Sequence, residues 1–446
     1  MSNATRSRSR VGRQRQPADP YRQGPPGAVP GSGLQEPPRA AGAVTPRLRP
    51  QTGRIGGMRV QQLVLVQVAA AVLLVGAVVH PLALIPAAVV AGALVVVAVG
   101  RRRRIPLPEW IATVRAMKRR RLNAEPVQPG VESALAPVVE ADPSLRTYEY
   151  VDRNQRPVGF VGDGTFLTAL VLVEARDEPL RPATGSRPLP LHLLHASLDV
   201  EDIHLESVQF VQYTQPAPAP HLPEQAVAAR SYAPLQAQTQ TPAVQVSWIA
   251  LKLDPELCPE AIEARGGGLG GAQRSLLRAA DQLASRLNGL GLRASVLEER
   301  DVVTALGTSA CVNPRTTSGA VDRSGRATLR TQETVRAWRC DDRWHTTYWI
   351  RSWPQLGPGG APLAGIASLL RGTRAMASTF SLTATRNGNT PGLSGHVRLS
   401  CRSENELEAA RRDLERRAGS VKVGLVRLDR EQLPGVLATL PLGGTR

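Results

Sequence analysis

The richest set of ionisable side chains lies in LHLLHASLDVEDIH, with His192, His195, Asp199, Glu201, Asp202 and His204. On a helix, His192, His195 and Asp199 share a face, and two imidazoles with a carboxylate can hold zinc and leave a position open to water. The spacing lacks the adjacent glutamate that serves as general base in the common zinc hydrolases. His204 also falls on an expected strand. The segment therefore reads as scattered polar groups, and metal binding across His192–His204 stays the alternative.

Cys258, Cys311, Cys340 and Cys401 are far apart with no C-x-x-C pair, so a structural zinc is not expected. In a cytosolic domain such thiols stay reduced and pack as small hydrophobes. Cys340-Asp341-Asp342 with His345 offers a nucleophile or a metal ligand, but Trp338, Trp344, Tyr348 and Trp349 around it favour a sheet and turn. GGGLGGAQ at 266–273 opens a helix, as a phosphate-binding loop does. No Lys-Ser or Lys-Thr follows it, so it reads as a flexible loop. No nucleophile elbow and no carboxylate pair in a glycosidase context is present. Catalysis finds no positive support here.

The elements that would position these residues begin with an apolar stretch from Leu63 to Val99, broken near its middle by His80-Pro81. It reads as a two-helix transmembrane hairpin over 61–100, each half about 17 residues, near the lower limit for crossing a bilayer core. Arginine on both flanks and an uncharged connection put both ends on the cytoplasmic side of the plasma membrane. Residues 1–58, rich in Arg and Pro, are expected to form a disordered cytoplasmic arm.

Residues 101–123 follow as a basic juxtamembrane segment. In LPEWIATVRAMKRRRL, Trp110, Ile111, Val114 and Met117 recur at helical spacing beside Lys118, Arg119, Arg120 and Arg121. Together with Arg101, Arg102, Arg103 and Arg104 these residues suit a membrane interface carrying anionic lipid head groups. Docking onto a neighbouring subunit is the other reading of this helix.

Charge supports that placement. The chain holds 55 basic and 37 acidic residues, a net +18. Residues 1–60 carry +9 and 101–121 carry +8, which leaves +1 from Leu122 onward. A nucleic-acid partner is thereby disfavoured, because the domain itself has no basic excess.

The remainder, 124–446, is expected to be a cytosolic domain of mixed α+β type, divided into lobes at 145–312 and 337–446. Strands are expected at Val158–Val161, Phe166–Glu174, Leu205–Tyr213, Val244–Leu253, Trp344–Ser352, Thr379–Arg386 and Gly395–Cys401. Helices are expected at Ala272–Asn288, Pro362–Arg371 and Glu404–Ala418, the last opened by a Ser403/Glu406 capping box. Arg323–Arg336 reads as a mobile loop between the lobes. A weak similarity at an offset of 131 matches Leu283 with Leu414, Leu297 with Leu428, Leu306 with Leu437 and Thr308 with Thr439. Duplication and the shared grammar of α/β units both account for it.

Several segments carry a family resemblance. GRIGGMRVQQLVLVQVAAAVLLV, RRRRIPLPEWIATVRAMKRRR, YAPLQAQTQTPAVQVSWIALKLDPELCPEAIEARGG and RCDDRWHTTYWIRSWPQLG are similar to the EccE family of actinobacterial type VII (ESX) secretion systems. So is the stretch from SGHVRLSC to TLPLGG. The likeness runs from about residue 50 onward and is nearest to streptomycete-type members. It implies a non-catalytic core subunit of an inner-membrane protein-export complex, without cofactor, assembling as a hetero-oligomer with EccB, EccC and EccD, of which EccC supplies the ATPase. A membrane-anchored enzyme, glycosyltransferase-like or metal-dependent, is the alternative function.

Overall fold

The structure is a computed structural model. It describes residues 54–55, 58–79, 84–99, 101–102, 105–127, 130–175, 191–216, 225–227, 230–231, 234, 244–316, 328–354, 366–367, 370, 372–387 and 390–444. The expected arm, save for a few residues at its end, lies outside these, as does most of the helix expected at Pro362–Arg371.

Two helices lead, α1 (Val60–Val79) and α2 (Leu84–Val99), and they pack against each other with Ala69 and Ala91 buried. Val66, Leu74, Val78, Ile85, Val89 and Val90 are exposed on the pair. The transmembrane hairpin expected over 61–100 is corrected here: among the described residues no helix is long and apolar enough to cross a membrane. The 16 residues of α2 rise about 24 Å, short of a hydrocarbon core of about 30 Å, and Gln67 is exposed midway along α1.

The rest is mixed α+β around one large antiparallel sheet. Its first five strands are β1 (Arg146–Val151), β2 (Pro157–Gly162), β3 (Leu167–Ala175), β4 (Ser207–Gln215) and β5 (Val244–Leu253). After them come α6 (Pro259–Glu263), α7 (Gly268–Gly289), β6 (Leu292–Val296) and α8 (Glu299–Ser309). Short helices α4 (Ala136–Ala141) and α5 (Leu191–Ala196) stand before β1 and β4. The second series is β7 (Thr331–Glu333), β8 (Trp338–Cys340), β9 (Arg343–Ser352), β10 (Ala377–Asn387) and β11 (Thr390–Cys401). It ends with α9 (Glu404–Ser420), β12 (Gly424–Arg427) and α10 (Gln432–Leu437).

The strand order is β7-β8-β9-β11-β10-β4-β5-β3-β2-β1, with β12 added to β9 and β6 to β3. That order reads alike from either edge. Three strands, then a hairpin, then helix, strand and short helix make each half, and the halves join through the antiparallel pair β4–β10. The registers agree in detail. Val296 opposes Val171, which opposes Ile249, which opposes Phe210. In the other half Arg427 opposes Tyr348, then Val397, then Phe380. The local twofold passes through the Val211–Ser381 pair, where Phe210 faces Leu382 and Gln212 faces Phe380. The backbone repeats too: Leu297 donates to the Leu170 carbonyl at 2.9 Å and Leu428 to the Thr347 carbonyl at 3.1 Å. The offset of 131 is thus structural, and the topology favours duplication over shared grammar.

Burial explains why β5 carries a continuous apolar run at 248–251 instead of alternating throughout. On one face, Phe160, Val171, Ile249 and Leu251 pack under Leu276 and Leu283 of α7. Tyr348, Phe380, Val397 and Leu399 pack likewise under Leu407 and Leu414 of α9. On the other face a single cluster crosses the twofold, joining Leu170, Val211 and Trp248 to Val302, Leu306, Trp338, Val436 and Leu437. Strands covered on both faces lose the polar-out pattern. At the capping box Ser403 Oγ accepts from the Glu406 amide at 3.2 Å, while Glu406 reaches the Arg402 amide at 3.1 Å. The loop expected at Arg323–Arg336 instead contains β7, because Glu333 is drawn into buried contacts described below.

Gly159 shows how tightly α8 sits. A Cβ there would stand 2.4 Å from the Glu299 amide nitrogen, backbone that cannot yield. Gly159→Ala is expected to destabilise the domain by about 2 kcal/mol or more, as overpacking against fixed backbone does. A thermal melt of the variant beside the parent measures this.

Candidate functional site

Helix α3 (Leu107–Leu122) was the segment read as an interface, and the structure fastens its end to the sheet. Arg120 grips Glu333 with two parallel bonds, Nε to Oε2 and Nη2 to Oε1, each 2.9 Å. Such a fork is the strong geometry for guanidinium and carboxylate. The side chains are 12% and 4% exposed, so water hardly screens them. Arg120 Nη2 also donates to the Arg430 carbonyl at 2.6 Å, and Arg121 Nε to the Glu333 carbonyl at 2.9 Å. Glu333 Oε1 in turn accepts the Leu433 amide at 3.1 Å, one of the free donors in the first turn of α10.

Arg430 adopts a left-handed backbone, φ 67°, uncommon for a residue with a side chain. That turn aims its carbonyl at Arg120 while its guanidinium lies 5.5 Å from the Trp110 ring centre. Two ends of α3 are therefore held by one turn of the sheet domain. Lys118 and Arg119 stay exposed. Arg101 and Arg102 pair with Pro106 and Ile105 in a short ladder, and Arg103 and Arg104 lie outside the described residues.

A second polar group lies inside the sheet. β11 presents His396, Arg398 and Ser400 to the face under α8 and α10, beside Thr347 and His345 of β9 and Thr379 of β10. Arg398 is fully buried, and its Nη2 donates to the Ser309 carbonyl and to Thr379 Oγ1. Ser309 ends α8, where the helix dipole is negative, so a helix end and not a carboxylate faces this cation. Burial lowers the Arg398 pKa. Among the described residues its Nε and Nη1 have no partner, nor do His345 Nε2, Thr347 Oγ1 and His396 Nδ1.

Cys311 donates to Ser400 Oγ at 3.5 Å, and Ser400 Oγ lies 2.8 Å from His345 Nδ1. Thiol, hydroxyl and imidazole in a row resemble a nucleophile with its base. Here all three are 2% exposed or less. Burial pushes His345 well below its usual pKa, with the Arg398 and Arg343 charges adding to it, and raises the Cys340 thiol. The seam is packed and closed to solvent. Its order is that of a structural core.

The other sequence candidates separate. His192 and His195 are exposed on α5, while His204 Nδ1 lies 2.7 Å from Asp199 Oδ1, with Arg386 on the same carboxylate. Arg265 holds Asp202 and Arg278 holds Glu201. The Arg265 contact lowers Asp202 to about 2. Among the described residues no group of three His, Cys, Asp or Glu could hold a metal ion. All four cysteines are free and buried. Sequence reasoning missed Glu333, Arg398 and His396. Glu333 sat in a polar run without periodicity, while the alternation in HVRLSC could have flagged Arg398 as lying on an inward face.

A comparison with curated proteins finds no match. Residues 241–350, from β5 through α8 into β9 and so across both halves of the sheet, match the family model EccE, described as a putative type VII ESX secretion system translocon. That match covers about a quarter of the chain, on the segment that includes Glu333 and His345, and makes this part of the sheet similar to the EccE family.

Proposed function

We propose that the chain is a non-catalytic structural subunit of a type VII secretion complex, held at the cytoplasmic side of the plasma membrane and joined there to the EccB, EccC and EccD components. The observation that carries this reading is the fastening of α3. A basic helix that follows an exposed apolar helix pair is bolted by Arg120, Arg121 and Trp110 to Glu333 and Arg430. Such a joint passes position from the leading helices to the sheet, as a scaffold requires. Lys118 and Arg119, with Arg101 to Arg104, would then face anionic head groups, where each basic residue gains about 1 kcal/mol. The segments 145–312 and 337–446 would act as the two lobes of this scaffold.

Affinity purification from native membranes in mild detergent tests the assignment. The other membrane components should be recovered with the chain. Recovery of the chain alone, under conditions that keep those components together, would overturn it.

A further inference from the structure

The seam under α8 and α10 carries a cation that no side chain among the described residues neutralises. Arg398 is fully buried, and arginine keeps its proton in proteins. Arg330, the other buried arginine among the described residues, makes a fork to both oxygens of Asp341 at 2.8 Å. No carboxylate faces Arg398. The ionisable groups around it are Cys311, Tyr213, Cys340 and His345. Burial raises Tyr213 and Cys340 and lowers His345, so these three are uncharged near neutral pH. Cys311 gives its thiol hydrogen to Ser400. The negative end of α8, worth about half a unit charge, is met by Nη2 alone.

The fold itself does not ask for a charge at this place. The local twofold carries Thr347 onto Leu170, whose carbonyls accept from Leu428 and Leu297 in the two halves. Arg398, opposite Thr347, thereby falls on Ala250, opposite Leu170. Ala250 and Leu170 are both buried and apolar. The first half closes the same face of the sheet with no polar side chain at either position.

Unused donors gather beside the cation. Arg398 Nε and Nη1 and Thr347 Oγ1 have no partner among the described residues. Side chains directly opposed on one face of a sheet stand about 5 Å apart at Cβ, so the threonine hydroxyl neighbours the guanidinium. A desolvated cation without a counter-charge costs several kcal/mol, and buried polar groups left unpaired mark an ion or a water. Water satisfies hydrogen bonds but leaves the charge, whereas an anion answers both. Gly435 of α10 roofs the place closely, since a Cβ on it would stand 2.9 Å from Thr347 Cβ. A roof so close suits a single atom better than a phosphate or a carboxylate. We propose that the seam binds one chloride ion, held by the Arg398 guanidinium and the Thr347 hydroxyl.

Urea unfolding of the full chain at pH 7.5, in sodium chloride against sodium gluconate at one ionic strength, tests it. An ion held only by the folded chain shifts the equilibrium by mass action. With the site filled, the unfolding constant should fall about tenfold for each tenfold rise in chloride. Arg398→Met should abolish that dependence. Thr347→Val keeps the cation and loses one hydrogen bond to the ion, so about tenfold more chloride should be needed for the same shift. Crystals grown in bromide should show its anomalous scattering beside Arg398. No chloride dependence in the parent, the parent's dependence in Arg398→Met or in Thr347→Val, or a seam that holds water and no bromide would each overturn the proposal.

Discussion

Glu333→Ala is expected to release α3 from the sheet and to cost about 3–5 kcal/mol of docking free energy. Removing one partner of a buried ion pair leaves the other charge desolvated and unpaired, which is far costlier than the net worth of the pair. Here Arg120 would keep only the Arg430 carbonyl, and the Leu433 amide would lose its acceptor as well. Hydrogen exchange measures the effect: amides of 107–122 should lose protection by a factor of a hundred or more, roughly the lower of those energies at 1.4 kcal/mol per tenfold. Amides of α7, on the other half, should keep theirs. Glu333→Gln retains an acceptor for Leu433 and should show a smaller loss. Unchanged protection of α3 in Glu333→Ala would show that this contact is not what holds the helix.

Acidification is expected to weaken the domain from about pH 6.5 downward, before its exposed carboxylates titrate. His396 is fully buried and burial alone pushes its pKa down to about 4. His345, also fully buried, is pushed well below its usual value by burial and then by Arg398 and Arg343. Both titrate near 6.5 in an unfolded chain. Below that pH the unfolded chain takes up protons that the folded chain refuses, so stability is complete above about pH 6.5 and falls as pH drops towards 4. At pH 5, His396 alone accounts for about 2 kcal/mol, at 1.36 kcal/mol per unit. Glu140 and Asp142, raised by burial, work the other way, gaining protons more readily when folded. Urea titrations at pH 7.5 and 5 should therefore show a lower midpoint at pH 5. In His396→Leu the drop should shrink by about the His396 share. An equal drop in parent and variant would refute the assignment.

How far the sequence spoke depended on the range of the interactions. Val244–Leu253 is the span expected from its apolar run, and the Glu404 helix starts where Ser403 and Glu406 said it would. Both are set by neighbours in sequence. Arg146–Val151 escaped notice because RTYEYV gains its apolar face only by pairing with β2. Glu333 could not be read at all, since its partners lie 213 and 100 positions away. The apolar stretch before residue 100 taught the opposite lesson. Its composition suggested two spans, yet among the described residues no helix is both long and apolar enough to make one. The histidine cluster failed for a plain reason: two turns separate its members, and arginines from distant elements claim the carboxylates.

Residues 438–444 belong to the second half, yet their bonds go to strands of the first. Gln209 donates to the Ala438 carbonyl at 2.9 Å and accepts from the Gly443 amide at 2.8 Å, across 234 positions of chain. Thr168 donates to the Leu442 carbonyl at 3.0 Å and Ser207 to the Gly443 carbonyl at 2.5 Å. Until those residues arrive, Gln209, Thr168 and Ser207 are polar groups in an apolar wall with nothing to bond. On a ribosome adding about 5–20 residues each second, the first half therefore waits roughly 7 to 27 seconds after its last helix for the piece that completes that face. That face of the first half is thus completed by residues made long after its own strands.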